Sequence, residues 1–327
     1  SMLAMEYLFL DSYTMAKEHF IKCLNEDPKD THALYNVIYC FESLENPDGA
    51  IEFLNKFLEA DPYSEIAWHQ LGRQYASKGL LKQALSSYDF AVICDNDFIG
   101  AYFEMGKTLQ KMKCYNEAIL AYEMTLSIDE PTAFALLHIG HCHLKLGNTK
   151  LATEYFKRTL NEDPLYEKAW IALIDVYFEN KDFEKALYYV KKSIHIDNVN
   201  VTTWKKYAEI NFALGFFEEA DMGFTECVNL GNYEVDTWVK WADVLKEMHD
   251  YPRALEILQH GLEFHPESSV INFRLGGIYL LSSQSLEASF YLKNAYMSDA
   301  KQLNHFYETF PEFKSSSFVK QSLSLKV

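Results

Sequence analysis

The amino-acid sequence predicts an all-α fold, a solenoid of antiparallel helix pairs that stack on one another. Alanine recurs every 34 residues at nine positions without an insertion, and apolar residues surround each alanine at helical spacing. Only 13 Gly and 8 Pro occur in 327 residues, whereas sandwiches, barrels and nucleotide-binding folds need turn residues at every corner. A fixed period of this length indicates stacked helical units rather than two separate globular domains.

The composition excludes several classes of protein. With 49% hydrophobic and 24% charged residues, the chain is too apolar to be disordered. Its formal charge of −17, from 47 acidic and 30 basic side chains, repels phosphate backbones and anionic lipids over most of the surface. We therefore expect no nucleic-acid partner. No apolar run reaches the roughly 18 residues of a membrane-spanning helix, so we expect no membrane insertion.

The expected location is cytoplasmic. Six irregularly spaced cysteines do not resemble the disulfide framework of a small secreted domain. The N-terminal segment carries Glu6, Asp11 and Lys17 and lacks the pattern of a signal peptide. Because the first repeat lacks the opening turn of its first helix, we expect the native chain to continue upstream of Ser1; a natural, degenerate cap is the alternative.

The second helix of each repeat carries the most regular part of the pattern. Four residues after each alanine comes a large apolar residue, such as Tyr88 after Ala84, and three residues later a mostly small one, such as Ala91. These spacings define one helix face, and its small side chains let a neighbouring helix approach closely. The periodic alanines are Ala16, Ala50, Ala84, Ala118, Ala152, Ala186, Ala220, Ala254 and Ala288.

The first helix of each repeat precedes the alanine and is amphipathic as well. Trp68, Leu71, Gly72 and Tyr75 lie at helical spacing in one repeat, and most other repeats place similar residues at these positions. A short turn, often with a glycine such as Gly79, joins the two helices. One hairpin cannot bury its own apolar stripe, so each repeat must stack on the next.

This pattern closely resembles that of the tetratricopeptide repeat family. The residues that match the family signature in one repeat are Trp68, Leu71, Gly72, Tyr75, Ala84, Tyr88 and Ala91. The resemblance implies a right-handed superhelix of helix pairs whose first helices line a concave groove. It also implies a role in holding protein or peptide partners, and it implies no catalytic chemistry.

The predicted domain organisation is one continuous array of nine repeats over residues 1–302, the first one clipped at its N-terminus. Beyond it, Leu303 to Phe310 has the pattern of one more helix, which Pro311 stops. The apolar residues of a last amphipathic helix are Phe313, Phe318, Val319 and Leu323. Residues 303–327 are therefore predicted to be capping helices that cover the open apolar end of the array.

The outward positions of the first helices, which line the groove in the family, differ from repeat to repeat. Several carry large apolar side chains that stacking does not need, and an exposed aromatic surface is typical of a binding site. Phe273 and Gly277 continue these positions in the last repeat. The predicted peptide-binding residues are Tyr35, Tyr39, His69, Arg73, Phe103, Lys107, Lys111, His141, Lys145, Asp175, Phe178, Lys205, Glu209, Phe212 and Asp243.

Charge changes sign along this predicted groove. The basic positions are Arg73, Lys107, Lys111, His141 and Lys145, and the acidic positions that follow are Asp175, Glu179, Glu209, Asp243 and Glu247. Such a gradient would orient an extended ligand that has an acidic and a basic stretch, and the central groove could accept an acidic segment. The alternative is that these are ordinary solvated charges that keep an apolar solenoid soluble.

Two motifs suggest chemistry, but packing explains both better. Gly100 to Thr108 resembles a phosphate-binding loop, yet five residues separate its first two glycines where the motif has four, and the segment lies within a predicted helix. His138, His141 and Cys142 lie near one helix face, but no ligand from another helix is indicated. We expect no catalytic residue, no metal and no cofactor.

The sequence therefore predicts a non-enzymatic scaffold that binds an extended or helical peptide segment in its concave groove. One alternative is a self-associating structural module, a homo-oligomer formed through its repeat ends, because Leu3, Tyr7, Leu8 and Phe9 would present an apolar edge. Another is a regulatory arm of a larger protein whose other domains lie outside this chain. Partner identity, affinity and pathway do not follow from the sequence.

Overall fold

The computed structural model of the chain describes residues 2–129 and 131–323, and all regular secondary structure in these ranges is helical. The helices are α1 (Met2–Phe9), α2 (Tyr13–Glu26), α3 (Thr31–Ser43), α4 (Pro47–Ala60), α5 (Glu65–Ser77), α6 (Leu81–Cys94), α7 (Ile99–Lys111), α8 (Tyr115–Ile128), α9 (Ala133–Lys145), α10 (Thr149–Glu162), α11 (Glu167–Glu179), α12 (Phe183–Ile196), α13 (Val201–Leu214), α14 (Phe217–Asn229), α15 (Val235–Glu247), α16 (Tyr251–Phe264), α17 (Ser269–Leu281), α18 (Ser285–Ser298), α19 (Leu303–Thr309) and α20 (Ser317–Ser322). Short 3₁₀ turns, Ala300–Gln302 and Pro311–Phe313, flank α19. This is the predicted all-α solenoid of helix pairs.

The chain divides into two compact units, Ser1–Tyr166 and Glu167–Val327. Unit 1 contains helices α1 to α10 and unit 2 contains α11 to α20. In each unit, consecutive helices pack against one another as pairs. The single continuous array over residues 1–302 stays a prediction.

The nine periodic alanines mark the closest packing of the repeats. Each of them is 0% exposed. The large residue four positions later is also buried; Tyr88 and Phe156 are 0% exposed. The pattern predicted from the sequence therefore corresponds to the core of each unit.

Each turn between the two helices of a repeat contains one residue with positive φ, at the same position of the period. Glycine occupies it at Gly79 (φ 75°), Gly147 (φ 79°) and Gly215 (φ 78°). The other residues at this position are Asp11, Glu45, Lys113, Lys181, His249 and Ser283, with φ between 50° and 62°. A side chain in this left-handed region is strained, so the packing of the two helices imposes the conformation.

Aspartate ends most of the second helices. The carboxylate of Asp95, for example, accepts a hydrogen bond from the backbone N–H of Asp97 at 3.0 Å. The same turn recurs at Asp27, Asp61, Asp163, Asp197 and Asp299. Such turns satisfy backbone groups that the helix end leaves without partners, and they direct the chain into the next repeat.

The C-terminal segment covers part of the last repeat. Helix α19 lies on α17, and α20 packs against α18. Phe273 is 2% exposed, although the sequence predicts that it points into an open groove. The prediction for Phe273 is wrong because the Phe306 ring of α19 lies 5.5 Å from it and shields it from solvent.

The helices are short, as the repeat requires. The longest α-helices have 14 residues, and none in the part of the chain that the structure describes is long and apolar enough to cross a membrane.

Candidate functional site

In unit 1, the first helices α3 and α5 carry the first four predicted site residues. Tyr35 and Tyr39 lie one turn apart on α3 and are 43% and 50% exposed. The Arg73 guanidinium lies 3.6 Å from the Glu42 carboxylate, and Arg73 donates a hydrogen bond to Oε1 of Gln70 at 3.0 Å. Both partners of the Arg73 ion pair are well exposed, so the surface formed by α3 and α5 is open and aromatic.

His69, the remaining one of these four residues, is held within the packing of α5. Its ring lies 5.2 Å from that of Phe98 and 6.0 Å from that of Tyr88. Neither ring nitrogen has a hydrogen-bond partner among the described residues. Burial, assisted by the positive charge of Arg73, lowers the pKa of His69 to about 4. The ring is therefore neutral at pH 7 and does not contribute positive charge to the surface.

Phe103 belongs to an aromatic cluster between repeats rather than to an open surface. Its ring lies 4.6 Å from Phe134 and 5.8 Å from Tyr122. The Tyr122 hydroxyl donates to Oε1 of Gln110 at 2.7 Å, and Nδ1 of His138 lies 2.8 Å from the same oxygen. The half-buried Phe103 ring is thus mainly a packing residue that borders the predicted groove.

The remaining basic residues of unit 1 have different environments. Lys107 forms an ion pair at 2.7 Å with Glu104 on the same helix. Lys111 and Lys145 are exposed, and no ion pair engages either of them within the described ranges. His141 packs edge-on against Phe156, and burial, followed by the nearby Lys145, lowers its pKa below the ordinary value. Lys111 and Lys145 therefore carry the accessible positive charge.

In unit 2, a ladder of ion pairs joins the first helices of neighbouring repeats. The Lys206 ammonium lies 2.7 Å from the Asp175 carboxylate, and Lys240 lies 2.6 Å from that of Glu209. Each pair joins an acid to a base 31 residues later in the chain. The Asp175 and Glu209 carboxylates are therefore paired within the unit rather than available to a basic ligand segment.

The third rung of this ladder is buried. Nε of Arg274 lies 3.0 Å from Oδ1 of Asp243, and its Nη2 lies 3.1 Å from Oδ2. The Arg274 side chain is 4% exposed and that of Asp243 is 19% exposed. Burial raises the pKa of Asp243 above its ordinary value, and the positive charge of Arg274 opposes the shift.

Lys205 is joined to the next repeat by two carboxylates. Its ammonium lies 2.9 Å from Glu234 and 3.0 Å from Asp236, and Asp236 also pairs with Lys240 at 2.8 Å. These hydrogen bonds and charges raise the pKa of Lys205 although desolvation, the largest single influence, opposes them. Lys205 is therefore a structural link rather than an unpaired ligand-binding charge.

A cavity of about 550 Å³ opens on the first-helix face of unit 2, the surface formed by the outward residues of α11, α13, α15 and α17. Its lining residues are Phe178, Glu209, Phe212, Ala213, Phe224, Asp236, Val239, Lys240, Asp243, Arg274 and His305. Four of the predicted site residues thus meet at one place. The Phe178 and Phe212 rings provide apolar walls, and the ion-pair ladder provides the polar rim.

The basic partners of this ladder are not among the residues predicted from the sequence. Lys206, Lys240 and Arg274 occupy one position of the 34-residue period, and each follows an acid of the preceding repeat by 31 residues. That constant separation was visible in the sequence and predicts contact between stacked helices. Arg274 also lies among the apolar residues of α17, where a charge needs a partner.

The two motifs that suggested chemistry lie inside helices. Gly100 to Thr108 falls within α7, so its backbone N–H groups serve the helix, and a Cβ on Gly106 would lie 2.7 Å from the Tyr122 ring. Cys142 is 0% exposed, and burial raises its pKa to about 11. No group of three or more His, Cys, Asp or Glu side chains in residues 2–129 and 131–323 is arranged to hold a metal ion.

Solved structures with the same architecture include two with TM-scores of 0.50 or more. The C-terminal part of a tetratricopeptide repeat-containing protein from Cytophaga hutchinsonii is 15% identical with a TM-score of 0.58, covering 73% of this chain and 98% of that one. Pseudomonas aeruginosa pilF is 18% identical with a TM-score of 0.50, covering 64% of this chain and 96% of that one. At these identities the likeness is one of fold.

Two curated proteins resemble parts of the chain in sequence. Superkiller complex protein 3 of Mus musculus is 33% identical over 102 residues, which cover 31% of this chain and 6% of that protein. Protein CTR9 homolog of Arabidopsis thaliana is 26% identical over 116 residues, which cover 34% of this chain and 11% of that protein. The matched segments thus span only a small part of these relatives.

The model of the tetratricopeptide repeat family matches residues 1–65 and 137–200. Neither this match nor the relatives above indicate an enzyme family. The repeat pattern, the helix pairs and the similar solved structures agree with the family model. The chain therefore contains tetratricopeptide repeats, which the family model matches over residues 1–65 and 137–200.

Proposed function

We propose that the chain is a non-enzymatic protein-interaction scaffold that binds an extended or helical segment of another protein on its first-helix faces. The cavity of unit 2 is the observation that carries this proposal. Phe178, Phe212 and Val239 come from three successive first helices and line one opening. Stacking of the repeats does not need these apolar groups at outward positions, and a volume of about 550 Å³ lies within the usual range of ligand-binding pockets.

The chemistry of the cavity favours an apolar or aromatic anchor from the partner. The aromatic walls offer contact area, and the rim formed by Glu209 and Lys240 is already ion-paired at 2.6 Å. A strongly charged partner would have to break that pair, whereas a backbone amide or a neutral side chain can hydrogen-bond to it. Affinity would therefore come from the buried anchor, and the rim would orient the segment.

The first-helix face of unit 1 favours a partner with acidic residues. Tyr35 and Tyr39 are well exposed on α3, and the exposed Lys111 and Lys145 provide positive charge on a protein that is otherwise acidic. Opposite charge steers encounter and selects among partners.

Peptide selection tests the proposed function. Displayed random peptides would be selected on the wild-type chain, and the affinities of the winners measured by fluorescence anisotropy. We expect Phe178→Ala plus Phe212→Ala to weaken their binding at least tenfold, because truncating buried aromatic anchors costs about 2 kcal/mol or more.

The matched control is Phe90→Ala plus Phe290→Ala. It removes two phenyl rings that are 45% and 59% exposed on second helices, so affinities should stay within about twofold of the wild type. Selected peptides that bind the Phe178 and Phe212 variant as tightly as the wild type would contradict binding at this cavity.

A second candidate, self-association, rests on exposed apolar side chains of α1 and the turn after it. Met2 is 88% exposed, Phe9 82% and Leu10 73%. Two copies that pair through these groups would bury them. Sedimentation velocity tests this idea: a wild-type chain that remains monomeric at high concentration contradicts it, and Phe9→Ser plus Leu10→Ser should dissociate a dimer that forms this way.

A third possibility is that the chain serves as an arm of a larger protein in the cytoplasm. The mouse relative carries the word complex in its name, and the matched segment spans 6% of it. The genomic reading frame tests whether further domains belong to the same protein. Imaging of the tagged endogenous protein tests the cytoplasmic location.

A further inference from the structure

Helix α19 lies on the first-helix face of the last two repeats. Phe306 packs against Phe273, with 5.5 Å between the rings, and Phe310 fills the space above Gly277, where an added Cβ would lie 2.3 Å from its ring. Phe306 is 1% exposed and Phe310 is 0% exposed. The face that the sequence predicts to hold a ligand in this repeat is therefore occupied by the chain's own segment.

Polar contacts connect the same helix to both repeats. Nη1 of Arg274 donates to the Thr309 hydroxyl at 2.6 Å while the same guanidinium binds Asp243 of α15. The Lys246 ammonium, also on α15, lies 5.4 Å from the centre of the Phe310 ring. The segment formed by α19 and Phe310 thus reaches beyond the last repeat to α15.

The position of α19 adjoins the candidate binding cavity. His305 of α19 lines that cavity together with Phe178 and Phe212. A partner segment that lay along the first-helix face from the cavity toward α17 would meet α19 on the same surface. The docked helix therefore marks one boundary of the accessible site.

The sequence of α19 has the pattern of a groove-binding helix. Leu303, Phe306 and Tyr307 of α19, together with Phe310 directly after the helix, follow the i, i+3, i+4, i+7 spacing of one face. Asn304, His305 and Glu308 are exposed on the other face. A helix of 7 residues is not stable alone, so its order depends on the contacts that Phe306 and Phe310 make with the repeats.

We propose that α19 is a tethered occupant of the first-helix face, which an external helical segment with two aromatic residues one turn apart displaces. The external segment takes the positions of Phe306 and Phe310 on Phe273 and Gly277 and extends toward the cavity. This proposal rests on the proposed function, because it assumes that the face receives a partner. Beyond the proposed function, it specifies the chemistry of the partner segment and identifies α19 as a competitor within the same chain.

A peptide with the sequence of residues 300–314 provides the test. In the full chain with Phe306→Ala plus Phe310→Ala, the face is no longer filled, and the fluorescent peptide should bind. The wild-type chain should bind it at least tenfold more weakly, because tethering holds α19 at an effective concentration in the millimolar range. A peptide in which Phe306 and Phe310 are replaced by alanine should bind neither chain.

The matched control is Phe290→Ala in the full chain, which removes an exposed ring from α18. This variant should bind the peptide as weakly as the wild type does. The proposal is overturned if the double variant retains its helical circular dichroism but does not bind the peptide. It is equally overturned if wild type and variant bind the peptide with the same affinity.

Hydrogen exchange on the unmodified chain tests the same idea without a variant. Millimolar peptide should accelerate exchange of the α19 amides, because the helix loses its docking site, and the peptide with alanine in place of Phe306 and Phe310 should not. Unchanged α19 exchange at this concentration would contradict displacement, even if the double variant does not fold. Neither measurement involves Phe178 or Phe212, so failure here is distinguishable from failure of the proposed function.

Discussion

Asp243 and Arg274 form an ion pair in which the guanidinium is almost entirely withdrawn from solvent. Two contacts of 3.0 and 3.1 Å join the groups, and the Arg274 side chain is 4% exposed. The equivalent pair two repeats earlier, Asp175 with Lys206, has a similar distance of 2.7 Å, but its side chains are 37% and 25% exposed. The same ladder thus contains a buried rung and an accessible rung.

This difference in burial predicts different stability effects. Asp243→Asn leaves a buried guanidinium without its counter-charge and should lower the free energy of unfolding by about 3 kcal/mol. Asp175→Asn, the matched control, should cost at most about 1 kcal/mol because solvent already screens that pair. Urea denaturation followed by circular dichroism measures both. Equal effects of the two substitutions would show that burial does not set the strength of these pairs.

Close packing of Gly140 against Phe156 gives a second prediction. A Cβ on Gly140 would lie 2.5 Å from the Phe156 ring, so Gly140→Ala should destabilise by about 1–3 kcal/mol although alanine favours helix. One period later, Ile174 replaces Gly140 and Val190 replaces Phe156, and both are 0% exposed. The larger residue at the first position is thus accompanied by a smaller one at the second. Phe156→Val should therefore relieve the clash.

A double-mutant cycle measures this relief. Gly140→Ala plus Phe156→Val should be at least about 1 kcal/mol more stable than the sum of the single effects predicts. Strict additivity of the two substitutions in thermal or urea unfolding would mean that the two residues do not compete for the same space.

The left-handed turns give a third prediction. Lys181 has φ 59° at the position where Gly147 and Gly215 occur. Lys181→Gly should raise the free energy of unfolding by up to about 1 kcal/mol, because glycine adopts this conformation without steric cost. The control Lys191→Gly replaces an exposed lysine inside α12 and should lower stability by about 1 kcal/mol. If the two Lys→Gly substitutions change the free energy of unfolding in opposite directions, strain in the left-handed turn explains the difference. Changes in the same direction would exclude this explanation.

Burial of His69 gives a pH-dependent prediction. Its pKa of about 4 in the folded chain lies below the ordinary value near 6.5, so acid protonates the unfolded chain first. The stabilising contribution of the neutral His69 ring is fully present above about pH 6.5 and decreases as the pH falls toward 4. Between pH 7.5 and pH 5 the loss should be about 2 kcal/mol.

Comparison with His69→Leu isolates this contribution, because leucine occupies the same position of the period at residue 137. Urea denaturation at both pH values should show that the wild type loses about 2 kcal/mol more than the variant on acidification. Parallel losses in the two proteins would contradict a neutral, buried His69.

The local sequence pattern predicts the buried alanines of the repeats. It does not predict the left-handed conformation of Lys181 or the covering of two outward phenylalanines. The buried alanines follow from periodicity, because each repeat meets the same neighbours. The left-handed conformation of Lys181 could not be expected from its type, since only packing of the flanking helices imposes it. The positions of Phe103 and Phe273 were predicted as outward and accessible, yet Phe134 packs against the first and Phe306 covers the second.

The amino-acid sequence by itself determines the repeat, its helix pairs and its buried core, because they arise from short-range spacing that recurs every 34 residues. The accessible part of the first-helix face is different. It depends on which charges find partners in the next repeat and on where the non-repeating helix α19 docks. Helix α19 lies outside the repeats and no period predicts where it docks, so only the folded chain determines that Phe178 and Phe212 remain open while Phe273 does not.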